Sequence, residues 1–227
     1  MSGSSRRLRR WFRRGEPGVT GPHTAELSTA FSTIYENETW TDKLPGMPRS
    51  GRGALYERSL SVVQFIEDRI AAGDVRSIVD VGCGDLTYMS HIDAVVNGNV
   101  SYVGYDIVPA LVDEHRRKSW GDFRVGDITA PGFRVDADLV IVKDVLFHLE
   151  DAQIDVALRN LGSSTWRCLL LTSTDNESNA GRAFDRWHFA PVNFCAPPYS
   201  FTPEQVLERI DGGGFLVLRP DGLRWPS

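Results

Sequence analysis

The chain has 227 residues, 41% apolar and 24% charged. These values fit one globular α/β domain with a tail and exclude a collagen-like, disulfide-framed or wholly unfolded chain. The net charge of −5 is split: residues 1–14 hold six arginines and no acid, while the other 213 residues carry 19 basic against 30 acidic groups, an acidic body that argues against a surface built to grip nucleic acid.

Residues 1–25 are rich in Ser, Gly, Arg and Pro without apolar periodicity, which predicts a disordered basic tail. Residues 26–53 read as an N-terminal helical cap. Leu27, Phe31, Ile34 and Tyr35 are spaced for a short helix, and Pro45, Gly46, Pro48, Gly51 and Gly53 then interrupt the chain. The main domain is expected over 54–227. It opens with an amphipathic helix over 54–72, with Leu55, Val62, Val63, Ile66 and Ile70 on one face and Gly73 at its end.

Short apolar strands then alternate with helices. Residues 77–81 read as a buried strand, 86–96 as a helix and 101–106 as a second strand. Pro109 starts a helix that runs to Ser119, and residues 123–125 form a short third strand. Residues 138–143 are almost continuously apolar, as in a strand covered on both faces. A helix over 152–161 and a buried strand over 168–172 follow. After an unpatterned stretch over 173–201, Thr202, Pro203 and Gln205 have capping-box spacing. They predict a last helix, stopped by the glycines at 212–214 before a strand over 215–218. Such alternation builds a doubly wound, mainly parallel sheet, with ligands beyond the carboxyl ends of its strands.

Three cysteines, Cys83, Cys168 and Cys195, and no C-x-x-C pair give neither a disulfide frame nor a metal site, and fit a cytoplasmic setting. No apolar run is long enough for a membrane span, and Ser5-Arg6-Arg7 lacks the apolar stretch of an export signal.

The first strand ends in Asp80-Val81-Gly82-Cys83-Gly84-Asp85. Two glycines one residue apart let the backbone turn tightly against a ligand, and a helix N-terminus behind them would offer free N–H groups. A plain strand-to-helix turn uses the same pair. The third glycine of a dinucleotide fingerprint is absent, with Leu86 and Thr87 in its region. Asp106 ends the second strand, 22 residues after Gly84, where an acid can hold ribose hydroxyls or cap the turn before Pro109. Asp127-Ile128 follows the third strand, where the acid can take an exocyclic amine and its neighbour can pack on a flat base, or the acid can be an ordinary loop residue.

The segments VDVGCGD (79–85), YVGYD (102–106), GDI (126–128), DLVIVKDVLFHL (138–149) and CLLLTST (168–174) together resemble the class I S-adenosylmethionine-dependent methyltransferases, over about residues 54–219. GCGD combined with KDVLFHL further resembles a bacterial subgroup associated with sugar or small-metabolite modification. The resemblance implies a Rossmann-like sheet of six parallel strands and one antiparallel strand. Patterning places six; the seventh is expected in 186–189 or 223–225. It also implies S-adenosylmethionine as cofactor, bound through the first motif with Asp80, Gly82 and Gly84. The two glycines would lie under its methionine and ribose. Asp106 would hold the ribose hydroxyls with Ile107 against adenine, and Asp127 the adenine amine with Ile128 on its face. Lys143 and Asp144 would lie near the sulfonium and the acceptor.

An activated methyl donor needs mainly alignment, and an oxygen acceptor gains from a general base. Asp144 and His148 are the candidate catalytic residues, with Asp175 and His188 as further bases; His148, in the apolar run 145–149, also suits a packing role. Ala196-Pro197-Pro198-Tyr199 lacks the polar residue that precedes the prolines in amine methylases, and reads as a structural turn or a pocket lip. Residues 175–199, with Arg182, Arg186, Trp187 and Asn193, are expected to build the acceptor pocket together with the cap around 35–40. The expected activity is methyl transfer to a small-molecule or sugar acceptor, at oxygen before nitrogen. Its rivals are an RNA methyltransferase using the arginine tail, a non-catalytic nucleoside-binding domain, and a nicotinamide-dependent oxidoreductase, which the missing glycine opposes.

Overall fold

The computed structural model describes residues 20–186, 188–210 and 212–223. It places seven strands: β1 (Ser77–Val81), β2 (Ser101–Asp106), β3 (Asp122–Val125), β4 (Asp136–Val142), β5 (Thr165–Ser173), β6 (Gln205–Glu208) and β7 (Gly214–Leu218). They form one sheet in the order β3-β2-β1-β4-β5-β7-β6. Parallel pairing runs from β3 through β5, β7 is antiparallel to both neighbours, and β6 therefore points with the other five. This is the doubly wound α/β sheet of six strands against one. Five helices flank it: α1 (Thr24–Glu36), α2 (Leu60–Ala71), α3 (Asp93–Val96), α4 (Pro109–His115) and α5 (Asp151–Gly162).

Alternation along the strands sends side chains into two cores. Val79, Val81, Val140, Val142, Leu169 and Leu171 pack with α1 and α5 on one face. Ile78, Leu139, Ile141, Leu170, Phe215 and Val217 pack with α2 on the other. Winding proceeds outward from β1 through β2 to β3, then restarts at β4 on the opposite side. The carboxyl ends of β1 and β4 therefore part at the switch point, which opens a cleft there.

Four elements depart from the sequence-based expectation. The helix expected over 54–72 begins at Leu60, after 3₁₀ turns at Arg52–Ala54 and Tyr56–Ser59. The helix expected from Pro109 to Ser119 ends at His115. The helix expected over 86–96 is only a 3₁₀ turn at Met89–His91 and the four-residue α3. Leu86 turns left-handed at φ 60°, and both Leu86 and Tyr88 are buried in one core. Residues two apart point to opposite sides of a helix, so the two cannot be buried together in one. The chain leaves the helix, and Tyr88 donates to Asp80. The glycine pair is followed by a 3₁₀ turn and the four-residue α3, with no long helix N-terminus directly behind it.

The helix expected after Thr202 is strand β6. All five residues of β7 are buried, and β5 satisfies only one of its edges. A buried strand with an unpaired edge leaves backbone donors and acceptors unsatisfied, a larger penalty than a short helix recovers. Gln205–Glu208 closes that edge, with Gln205 opposite Val217 and Glu208 opposite Gly214. The missing seventh strand thus lies here, and not at 186–189; residues 224–225 of the other expected position lie outside the described residues. A capping box does form, at Glu150 and Gln153 ahead of α5.

The expected tail lies outside the described residues up to 19. Its last part is structured: Thr24 opens α1 and is buried.

Candidate active site

The cleft at the switch point has a volume of about 670 Å³, the size of a small-molecule site. Its floor is the turn after β1. Gly82 (φ 76°) and Gly84 (φ 53°) are left-handed, and a Cβ on Gly82 would run into Val145. The Gly82 and Cys83 amides donate to the Tyr105 carbonyl at 2.8 and 3.0 Å, tying the turn to β2. The glycines are therefore required by backbone geometry.

Asp106 is buried at the end of β2. One carboxylate oxygen accepts from the Gly84 amide at 3.0 Å and the other from the Val108 amide at 3.0 Å. A carboxylate has about four acceptor positions, and the Val108, Gly84 and Ile107 amides do not use them all. Burial pushes its pKa up, against the pull of the Val108 and Gly84 amides. A pair of donors such as vicinal hydroxyls would satisfy what the protein leaves open. Ile107 and Ile128 line the same end of the cleft.

Asp127 also lines the cleft, but is more fully engaged. It accepts from the Thr129 amide (2.7 Å), the Thr129 hydroxyl (2.6 Å) and the Thr24 hydroxyl of α1 (2.5 Å). Asp80 lies beneath the floor, not in its lining. Its carboxylate accepts from Tyr102 and Tyr88 at 3.0 and 3.2 Å, and burial pushes its pKa up to about 6. Asp80 reaches a ligand only through the structure it supports.

At the end of β4, Asp144 is held in the left-handed region at φ 57°. Its amide donates to the Thr172 hydroxyl, and its carboxylate is clamped by Lys143 Nζ and Arg209 Nη1, each at 2.7 Å. Burial alone would raise its pKa; the charges of Lys143 and Arg209 outweigh that and hold it below the usual carboxylate range. Asp144 is therefore a fixed anion and a poor proton acceptor. Lys143 Nζ also donates to the Gly53 carbonyl at 2.7 Å, which pulls the cap onto the strand end. Asp144→Asn would remove the negative charge that Lys143 and Arg209 clamp. It should cut turnover by at least about tenfold while changing S-adenosylhomocysteine affinity less than threefold. Equal losses in both would make Asp144 a cofactor contact.

His148 stands in a ring of aromatic side chains. Trp40 lies 4.9 Å from it between centroids, Phe31 6.1 Å and Phe189 6.3 Å. Nδ1 is 2.5 Å from the His188 carbonyl oxygen. A carbonyl only accepts, so Nδ1 carries the proton and Nε2 holds a lone pair. Among the described residues Nε2 has no partner. Burial lowers the pKa of His148, with the His188 carbonyl opposing. It is a neutral imidazole at the edge of the cleft.

The cap forms the opposite wall. Leu27, Phe31, Tyr35 and Trp40 line the cleft from α1 and the turn after it. Ser50 sits over the glycine turn: a Cβ on Gly84 would meet the Ser50 side chain at 3.2 Å, and Asp85 accepts from both the Ser50 amide and hydroxyl. Of the residues expected from 175–199, Arg186 lines the cleft, as do Asp185 and Phe189. Arg182 instead holds the Pro191, Ala190 and Leu149 carbonyls together with Asp151, and Asn193 bonds to Asn179 and Asn176. Trp187 lies outside the described residues. Tyr199 packs with Phe194 and Phe201 in the core, so the Pro-Pro-Tyr turn is structural. Sequence reading missed Ser50, Gly53 and Arg209; the first two lie in an aperiodic loop and the third beside a strand that had been read as helix.

Residues 78–165 match the model of a methyltransferase domain. No curated protein matches the chain by sequence. Among solved structures, it resembles a 1,6-didemethyltoxoflavin-N1-methyltransferase of Burkholderia thailandensis, at 14% identity and a TM-score of 0.55, over 90% of this chain and 91% of that one. It resembles the magnesium protoporphyrin IX methyltransferase of Synechocystis PCC 6803 at 16% identity and a TM-score of 0.56, over 87% and 97% of the two chains. Human N-acetylserotonin methyltransferase is similar at 14% identity and a TM-score of 0.56, over 83% and 58%. At these identities the likeness is one of fold.

Proposed function

We propose that this chain, which carries a methyltransferase domain over residues 78–165, transfers a methyl group from S-adenosylmethionine to a hydroxyl of a small-molecule acceptor. When bound, the cofactor supplies a methyl group already activated on a sulfonium. Asp106 holds the ribose hydroxyls with the acceptor capacity that the backbone amides leave. Ile107 and Ile128 flank the base, and Asp127 accepts from its amine with the capacity that Thr129 and Thr24 leave. Gly82 and Gly84 let the backbone pass under the ligand. The turn leads directly into no long helix N-terminus, so it lacks the dipole that a pyrophosphate prefers, which weighs against the nicotinamide alternative.

His148 carries the choice of oxygen. Its proton is fixed on Nδ1 by the His188 carbonyl, so Nε2 is a ready acceptor for a hydroxyl proton. The clamped anion of Asp144 favours the imidazolium that forms. A small acceptor agrees with the size of the cleft, with the cap over it, and with the small molecules named for the three similar structures. Titration calorimetry provides the first test: S-adenosylhomocysteine should bind at 1:1 stoichiometry and NADH should not. Preference for NADH would remove the proposal.

A further inference from the structure

Helix α1 does more than wall the cleft. Thr24 and Ser28 stand four residues apart, so their hydroxyls share one face of the helix. Both reach the ends of β2 and β3. Ser28 donates to the Ile107 carbonyl at 3.0 Å, and Thr24 donates to Asp127 Oδ2 at 2.5 Å. Thr24 and Asp127 are both buried. The direction of the Thr24 bond is set by its neighbour: the Gly21 amide donates to Thr24 Oγ1 at 2.6 Å, which leaves the hydroxyl proton for the carboxylate. Gly21 is itself seated on the loop after β3, where a Cβ on it would meet Ala130 Cα at 2.8 Å. Asn160 of α5 holds the same loop through the Ile128 and Ala130 carbonyls, at 2.7 and 2.9 Å. Thr129 engages Oδ1 of Asp127 with its amide and its hydroxyl. The terminal torsion of an aspartate is broad, so anchorage at one oxygen leaves the carboxylate free to turn. The bond from Thr24 to Oδ2 fixes its plane.

We propose that Thr24 is a specificity-determining positioning residue: through Asp127 it makes the cap select a purine that carries an exocyclic amine. The inference rests on the cofactor reading above, which sets the base between Ile107 and Ile128 with its amine on Asp127. A carboxylate only accepts, so a base with a donor at that edge is favoured, and a base without one leaves the buried acid short of a partner. Thr24 holds the acid in the receiving orientation beforehand, which reduces the ordering cost of binding. The same helix carries Phe31 beside His148, so the element that reads the base also walls the reaction centre.

Titration calorimetry compares S-adenosylhomocysteine with its analogue bearing hydrogen in place of the purine 6-amine. The unaltered protein prefers S-adenosylhomocysteine at least about tenfold, the usual strength of a hydrogen bond to a buried charge. In Thr24→Val the preference shrinks to less than about threefold, with S-adenosylhomocysteine weakened and the analogue nearly unaffected. Thr24→Ser, which keeps the hydroxyl, retains the preference. Ser28→Ala loosens the same helix without touching Asp127 and also retains it. A merely structural role would weaken both ligands together. Thr24→Ala removes the same hydroxyl without added bulk and carries the comparison if Thr24→Val does not fold. A preference that persists in the folded Thr24 variants, or that Ser28→Ala removes equally, overturns the inference and leaves the cofactor reading standing. If the unaltered protein binds both ligands equally well, Asp127 does not meet the amine and the inference falls with that contact. If it binds neither, the cofactor reading itself fails and takes the inference with it.

Discussion

His148→Gln should lower turnover on a hydroxyl acceptor by about 10²–10⁴-fold, the usual contribution of a positioned general base. Glutamine can keep a donor on the His188 carbonyl, so packing around Phe31, Trp40 and Phe189 is largely retained, while the basic lone pair is lost. S-adenosylhomocysteine affinity should stay within about threefold of the unaltered protein, since the change removes no proposed cofactor contact. The pH profile supplies the second readout. The pKa of His148 is lowered by burial, so the active neutral form is complete by neutral pH and activity falls on the acid side. Folding stability follows the same direction. A histidine with a folded pKa below its unfolded value stabilises the protein above about pH 6.5, and that contribution is lost as pH falls through the folded pKa. Both acid-side losses should be absent in His148→Gln. Turnover unchanged by the substitution would sink the assignment and leave His148 as a packing residue beneath the cap.

Asp106→Ala is the matching test of the cofactor end. A buried carboxylate that bonds ribose hydroxyls contributes roughly 1.5–3 kcal/mol, so S-adenosylhomocysteine affinity should fall at least about tenfold and up to about 150-fold. The same carboxylate holds the Gly84 and Val108 amides, so part of the loss is expected as lower stability. Asp106→Asn separates the two, because the amide oxygen can keep one backbone donor while ribose recognition weakens. Calorimetry and thermal unfolding measured together resolve them. An Asp106→Ala protein that folds and binds S-adenosylhomocysteine with undiminished affinity would falsify the placement of the ribose.

Where local pattern and global packing coincide, the sequence could be read directly. Strand β1 has the expected bounds, and the apolar run over 138–143 predicted β4 because strands buried on both faces cannot alternate. The strand ends pointed to Gly82, Gly84, Asp106 and Asp127 and the family resemblance to Lys143 and Asp144, and all six line one cleft. The errors share one physical origin. At 86–96 an apolar helical spacing was overruled by Tyr88, which is buried to reach Asp80. At 202–208 an N-terminal helix signal was overruled by the unsatisfied edge of β7. In both places a long-range backbone or side-chain requirement exceeded a local preference worth at most about 1–2 kcal/mol. The cap side of the site was least legible. Ser50 and Gly53 act through one hydroxyl and one carbonyl, in a stretch whose glycines and prolines erase any period.

The clamp on Asp144 also fixes the order in which the site can mature. Its partners are 65 residues downstream at Arg209 and, through Lys143, 90 residues upstream at Gly53. Arg209 follows the outermost strand β6, which pairs only with β7, and β7 must itself add to β5. A nascent chain that has emerged as far as β5 can assemble the nucleoside end from β1, β2 and β3, while Asp144 still lacks one of its two cations. Closing loops of this length is slow compared with local folding. The proposed cofactor half of the cleft can therefore form during synthesis, and the proposed reaction centre is completed only when the last strand pair docks.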